Sequence, residues 1–286
     1  MITVGPYQID VVETCRFGLD GGAMFGVVPK NLWERAYASA DAKNRIPMAA
    51  KALLIRNGDQ VILVDTGNSP FMAPKLQDIY GIDFSQFTLE GSLARLGVKP
   101  DDVTDVILTH AHFDHAGGAV VETAEGLLPR FHQATYYLQR EHLAWAQQPS
   151  VKDRASFLPE MFMPLADHGV LELTDGEDEL FPGIHLLPVH GHTPFMQTVL
   201  VTDGSKHVYY PADLMPTGAH VPVPYGMAYD NHPLTTIAEK QKLHPRMVEE
   251  QWIIVFEHDA LRQAATIVQG EKGVHLGPDI EITSYA

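Results

Sequence analysis

The sequence predicts an α/β fold in which β-sheets carry helices on their outer faces. Three observations lead there. Apolar runs of strand length alternate with helical stretches, turn residues join some neighbouring runs into hairpins, and several runs end in metal-ligating side chains. With 45% hydrophobic residues in 286, the chain can bury a sizeable core. No Pro/Ser-rich linker, internal repeat or low-complexity tract divides it, and the candidate ligands span Asp65 to His258. A cut in the middle would split the site, so residues 1–286 read as a single domain.

Taken in order, Val4 to Phe17 and Ala49 to Ile55 read as strands, the second paired with Val61-Ile62-Leu63-Val64. Asn57-Gly58-Asp59 supplies the turn chemistry of a hairpin between them. Thr88 can cap a helix over Leu89 to Leu96, which Gly97 ends. Val103 to Thr109 is then a strand. Arg140 to Gln148 reads as a helix that breaks at Pro149. Strands recur at Ile184–Pro188, Gln197–Thr202 and His207–Tyr210. Leu234 to Glu250 has helical periodicity, which Pro245 is expected to interrupt or end.

The most informative stretch is His110-Ala111-His112-Phe113-Asp114-His115, directly after Val106-Ile107-Leu108. Neutral imidazole and carboxylate suit zinc and its borderline neighbours. His110 and His112 are two apart, so at a strand end their side chains leave the same face. Asp114 and His115 fall where the chain turns toward Gly117-Gly118, and they can face a second ion. A solvated turn that happens to be rich in histidine is the bland alternative, since 15 of 286 residues are His. Three further positions weigh against it. Gly191-His192-Thr193-Pro194 follows the strand Ile184 to Val189, Asp213 follows the strand from His207, and His258 ends Trp252 to Phe256. Loops at strand ends are where a rigid scaffold presents its chemistry.

On these residues, together with Asp65 in Val64-Asp65-Thr66-Gly67, the chain resembles the metallo-β-lactamase superfamily of metal-dependent hydrolases. The likeness runs from about Ala50 to His258. It implies an αββα sandwich, two mixed β-sheets with helices on the outer faces. It also implies that His110, His112 and His192 hold one metal, that Asp114, His115 and His258 hold a second, and that Asp213 bridges the two. Asp65 would orient ligands from behind, since ligating histidines need a partner to fix their tautomer. The expected cofactors are two divalent metal ions per chain. Zinc comes first, and Mn, Co or Fe can take the same ligands. A water shared by two such ions loses its proton near neutral pH and can attack a carbonyl or phosphoryl centre. Asp114 is the candidate for passing a proton to the leaving group.

The stretch Thr109 to Gly118 looks most like the quorum-quenching branch that opens N-acyl-homoserine lactones. Two positions depart from that branch. Leu214-Met215-Pro216 follows Asp213 where those lactonases carry a substrate-contacting tyrosine, and Phe195 stands where the family motif often has Gly. The expected substrate is a small-molecule lactone or ester. A phosphotriesterase on the same ligands is the alternative, and a diiron redox protein a more distant one. The absence of a second-half cysteine excludes the common zinc β-lactamases that use one as ligand.

With 20 basic and 36 acidic residues the formal charge is −16, which repels phosphate backbones and anionic lipid. Nucleic acid and membrane are therefore not expected as partners, and a homodimer is left open. The start Met1 to Asp10 lacks the pattern of a signal peptide and no apolar run reaches membrane-spanning length, so a soluble, cytoplasmic protein is expected. Cys15 has no partner for an internal disulfide and reads as an inert strand residue.

Two segments invite a substrate-side role. Pro216 to Pro233 is long and irregular, either a lid or an ordinary surface loop. Within it His220 is the residue expected to act on the substrate. Gly21 to Gly26 could wall an acyl pocket, pack a partner or belong to the core.

Overall fold

In the computed structural model, which describes residues 1–284, two seven-stranded mixed sheets face each other. The first runs in the order Ile2–Val4, Tyr7–Asp20, Arg45–Asn57, Gln60–Val64, Asp105–Ile107, Thr135–Gln139 and Leu171–Thr174. The second runs Asp178–Phe181, Ile184–Val189, Met196–Thr202, His207–Tyr210, Ile253–Val255, Ala264–Gly270 and Gly273–Ile280. One continuous apolar core joins them. Ile9, Val11, Leu53, Ile55, Ile62 and Val64 of the first sheet pack with Leu186, Val199, Val201, Val208 and Ile254 of the second. The alternate residues Ala52, Leu54, Leu63 and Val106 point the other way, against Leu89 and Leu93 of the helix Leu89–Arg95. Period-2 alternation thus feeds two apolar layers, and the sandwich with helices outside is the fold that the motif resemblance implies.

Pairing direction positions the chemistry. Gln60–Val64, Asp105–Ile107 and Thr135–Gln139 are parallel neighbours, with Val64 opposite Ile107 and Ile107 opposite Tyr137. Parallel strands end on the same edge, so Asp65 and the His110 cluster emerge side by side. In the second sheet His207–Tyr210 and Ile253–Val255 are the parallel pair, and they deliver Asp213 and His258 to the same edge.

Several local expectations hold. The hairpin closes with Asn57 opposite Gln60 and Gly58 at φ +58°. Thr88 Oγ1 accepts from Gly91 N at 3.0 Å, and Gly97 sits at φ +74° past the helix end. Pro245 is a correction. Pro233–Glu249 is one helix with the proline inside it. Packing compensates for the bond a proline cannot donate: Met247 is buried in the core, and its carbonyl accepts from Trp252 N at 3.0 Å.

Candidate metal centre

The ligand stretch begins where Asp105–Ile107 ends. Thr109 N donates to Asp65 Oδ1 at 2.7 Å, and Gln197 N of the second sheet donates to Thr109 O at 2.9 Å. His110 therefore leaves a segment tied to both sheets. At His112 the backbone is extended, with ψ 154°, and a one-turn helix Phe113–Ala116 follows, so Asp114 and His115 swing to the far side. Gly118 packs so closely that a Cβ there would stand 2.3 Å from Thr66 O. Only glycine lets this turn approach the Asp65 loop.

The ligand atoms of His110, His112, His192 and Asp213 lie within 4.8 Å of one another, as do those of Asp114, His115 and His258. In the first group His112 Nδ1 is 3.0 Å from His110 Nε2 and 3.2 Å from His192 Nε2. In the second, His115 Nε2 and His258 Nε2 are 3.1 Å apart. Asp213 faces both groups: Oδ2 is 3.1 Å from His192 Nε2 and 3.5 Å from His115 Nε2, and Oδ1 is 3.3 Å from His258 Nε2. Asp114 lies 3.9 Å from His115 Nε2 and 3.7 Å from His258 Nε2.

The donor set fits divalent cations. Nitrogens bound tetrahedrally at about 2.0–2.1 Å would be roughly 3.3 Å apart, close to the spacings within each group. Asp213 Oδ1 is buried with no aligned hydrogen-bond donor and lies 3.3 Å from His258 Nε2, an acceptor placed to meet a cation. Burial, reinforced by neighbouring imidazoles, pushes His110 and His112 well below the ordinary histidine range, which keeps their lone pairs free. Burial opposes protonation of His192 and His258 as well, but the Asp213 carboxylate outweighs it and lifts each to about 9. Metal binding would displace those protons.

Outer partners fix most of the rings. Thr109 Oγ1 donates to Asp65 Oδ2 at 2.7 Å and accepts from His110 Nδ1 at 3.0 Å. His115 Nδ1 donates to Asp65 Oδ2 at 3.0 Å, and His258 Nδ1 to Ala49 O at 3.0 Å. His192 Nδ1 donates to Asp230 Oδ1 at 3.2 Å. Asp230, and Glu257 behind His115, were not singled out from the sequence. Nothing in either local sequence marks them, because only tertiary folding brings them to the rings. His142 likewise braces the site: its Nε2 accepts from Ala111 N at 2.9 Å and its Nδ1 donates to Pro194 O at 2.8 Å.

Above the ligands lies a cavity of about 140 Å³ that His112, Asp114, His192, Asp213 and His258 line from below. Its walls include Leu19, Met24, Phe113 and Met227, with Tyr80 and Tyr229 adding phenols and Lys152 a cation. Of the Gly21–Gly26 segment, Met24 walls the cavity while Phe25 joins the core.

His220 is a correction. It is 1% exposed and absent from the cavity lining. Its Nδ1 accepts from Thr217 Oγ1 at 2.8 Å, its Nε2 donates to Met24 O at 2.8 Å, and its ring stacks on Phe25. With both nitrogens engaged it has no polar atom to offer a substrate. The stretch Pro216 to Pro233 is likewise fastened as a wall. Lys240 Nζ donates to the carbonyls of His220, Pro222 and Tyr225 at 2.8–3.1 Å, and Asn231 N donates to His192 O at 2.9 Å.

A family model described as the metallo-beta-lactamase superfamily matches residues 45–258. An N-acyl homoserine lactonase of Bacillus cereus is 27% identical over 249 residues, which are 82% of this chain and 88% of that protein. The N-acyl homoserine lactonase AiiA of Bacillus thuringiensis subsp. kurstaki is 28% identical over 219 residues, 72% of this chain and 79% of its own. Among solved structures, a probable metal-dependent hydrolase from Staphylococcus aureus superimposes with a TM-score of 0.88 at 25% identity, covering 98% of each chain. AidC, a dizinc quorum-quenching lactonase with a bound product, shares the fold with a TM-score of 0.80 at 19% identity, covering 100% of this chain and 97% of its own. With its candidate ligand residues at the sheet edges and the family match spanning them, the chain belongs to the metallo-beta-lactamase superfamily and is a metal-dependent hydrolase.

Proposed function

We propose that this hydrolase opens the ring of an N-acyl-homoserine lactone. The observation that carries the reading is the cavity itself, in which two sets of candidate ligand atoms underlie walls that include the apolar side chains of Leu19, Met24, Phe113 and Met227. A neutral ester with an apolar acyl chain matches that surface, while a polyanion does not. The lactonase activity of the Bacillus relatives supports the same substrate class.

His110, His112 and His192 would hold one divalent ion, Asp114, His115 and His258 a second, and Asp213 both. Bound there, zinc ions would supply Lewis-acid polarisation of the scissile carbonyl and a water acidified to a pKa of about 7. The chain does the rest. The Asp65–Thr109 bonds hold His110 and His115 in orientation, and Asp230 does the same for His192. Asp114 lines the cavity with its carboxylate, where it can hold a proton and pass it to the ring oxygen as that leaves. The apolar wall excludes bulk water and receives the acyl chain. Tyr80 and Tyr229 bring hydroxyls to the cavity from elements other than the one that carries Asp213. Burial raises both phenols above their usual range, so each stays a donor at neutral pH.

The test is a panel of acyl-homoserine lactones, phosphotriesters, β-lactams, RNA and DNA, assayed on zinc-reconstituted protein. Lactones are expected to exceed every other class in kcat/KM by at least about tenfold, some 1.4 kcal/mol of transition-state preference. Efficient phosphotriester cleavage with inert lactones would transfer the reading to the organophosphate branch. Nucleic-acid cleavage would overturn it.

A further inference from the structure

His115 is backed by two carboxylates, where one is enough to fix a tautomer. Its Nδ1 stands 3.0 Å from Asp65 Oδ2 and 3.0 Å from Glu257 Oε2, and all three side chains are 0% exposed. Asp65 is well provided with donors, since Thr109 N and Thr109 Oγ1 both reach it at 2.7 Å. Glu257 is not. Among the described residues neither of its oxygens has an aligned hydrogen-bond donor. The hydroxyl of nearby Tyr210 gives its proton to Lys51 O at 2.6 Å. The buried Lys51 ammonium is itself spent on the carbonyls of Phe256, Asp259 and Arg262, which pins the loop and fixes Glu257 in place. The charged groups that act on Glu257 most strongly are His115, Asp65 and His258.

A buried carboxylate whose close partner is an imidazole Nδ1 favours any further positive charge placed across that ring. His115 presents Nδ1 to Glu257 and Nε2 to Asp114, Asp213 and His258, so a cation on the Nε2 side lies across one imidazole ring from this charge. The three-histidine group has a single directly bonded carboxylate, Asp230 on His192 Nδ1 at 3.2 Å, and Asp230 is met by donors of its own, Met227 N and Thr236 Oγ1. His110 reaches a carboxylate only through Thr109, and His112 Nε2 is buried with no partner.

We propose that Glu257 is a positioning residue that makes the Asp114, His115 and His258 position the tighter of the two metal positions and the first to fill. This rests on the dinuclear reading above and extends it to an order of occupancy. Two carboxylates on one Nδ1 strengthen the Nε2 of that ring as a donor, and the gain falls at this position alone.

The variant is Glu257→Gln, which keeps the shape and removes the charge. Zinc is titrated calorimetrically into metal-free protein, with the ring NMR signals of His192 and His258 reporting which position fills. Wild type is expected to perturb His258 at the first equivalent and His192 at the second. In Glu257→Gln the His258 step should weaken by about 10–100-fold, the scale for outer partners of metal ligands. The His192 step should stay within about threefold. Glu257→Asp should recover part of the His258 affinity. A residue that only packs would lower the apo Tm and weaken both steps together, and that outcome overturns the proposal. So do unchanged stepwise affinities, or first filling at His192 in wild type. A single step in wild type contradicts the dinuclear reading itself, and if that step leaves His258 unperturbed the role of Glu257 falls with it. Lactone turnover enters none of these readouts, so failure of the substrate assignment leaves the test intact.

Discussion

His220 separates what a residue type suggests from what its surroundings allow. Its place soon after Asp213 suggests a substrate contact, whereas its bonds to Thr217 and Met24 make it a brace under the cavity wall. His220→Ala should therefore keep its metals and its KM while losing roughly 2–4 kcal/mol of stability, from two buried hydrogen bonds and the space left beside Phe25. The pH dependence of that loss has a definite sign. Burial pushes His220 down to about 4 from the usual 6.5, so as pH falls the unfolded chain takes up the proton first. The stability His220 contributes is complete above pH 6.5 and is lost as pH drops to about 4. Denaturant melts of wild type and His220→Ala should show a gap that narrows by roughly 3 kcal/mol across that window. A gap independent of pH, or a raised KM, would return His220 to the substrate side. At this scale the His110–His115 cluster was legible because its spacing is local. Asp230 and Glu257 were not, since nothing near them in sequence marks a residue that meets its histidine only in the folded chain. Phe195 lies between. It occupies φ +58°, a left-handed backbone position natural to glycine, which is why the family pattern has Gly there.

Both irregular segments beside the site are secured in the same way, by a buried lysine that donates to three carbonyls. Lys51 holds Phe256, Asp259 and Arg262, and Lys240 holds His220, Pro222 and Tyr225. An ammonium with three donors can tie together a loop whose backbone has no sheet partner. Lys240→Met should therefore loosen residues 216–233. The expected result is faster limited proteolysis within that stretch and a raised KM, because Met227 and Tyr229 of the same loop wall the cavity. Unchanged proteolysis and unchanged KM would show that the loop is held without its lysine. The hairpin at Gly58 and the Thr88-capped helix were readable because turn and cap chemistry is local. The sandwich was not readable from periodicity. Ala49 to Ile55 are buried on both faces, so the apolar–polar alternation that reveals a half-exposed strand is missing there. Only the motif resemblance carried the second sheet. The helix through Pro245 shows the converse, a local rule overridden by packing.

Across the whole molecule, two sheets with parallel central pairs end at one edge, and candidate ligand residues far apart in sequence converge there. The chain as a whole carries a formal charge of −16, which suits small neutral substrates better than nucleic acid. What unites the residues at that edge is Asp213, the carboxylate that faces both ligand groups. The most direct measurement is elemental analysis of zinc-reconstituted protein and of Asp213→Ala, paired with hydrolytic activity. Wild type should hold close to two ions per chain, and Asp213→Ala should lose metal and more than about 100-fold in activity together, since changes to outer partners alone cost about 10–100-fold. A wild-type protein that saturates at one ion per chain with full activity, or an Asp213→Ala variant that keeps both ions, would contradict the dinuclear centre.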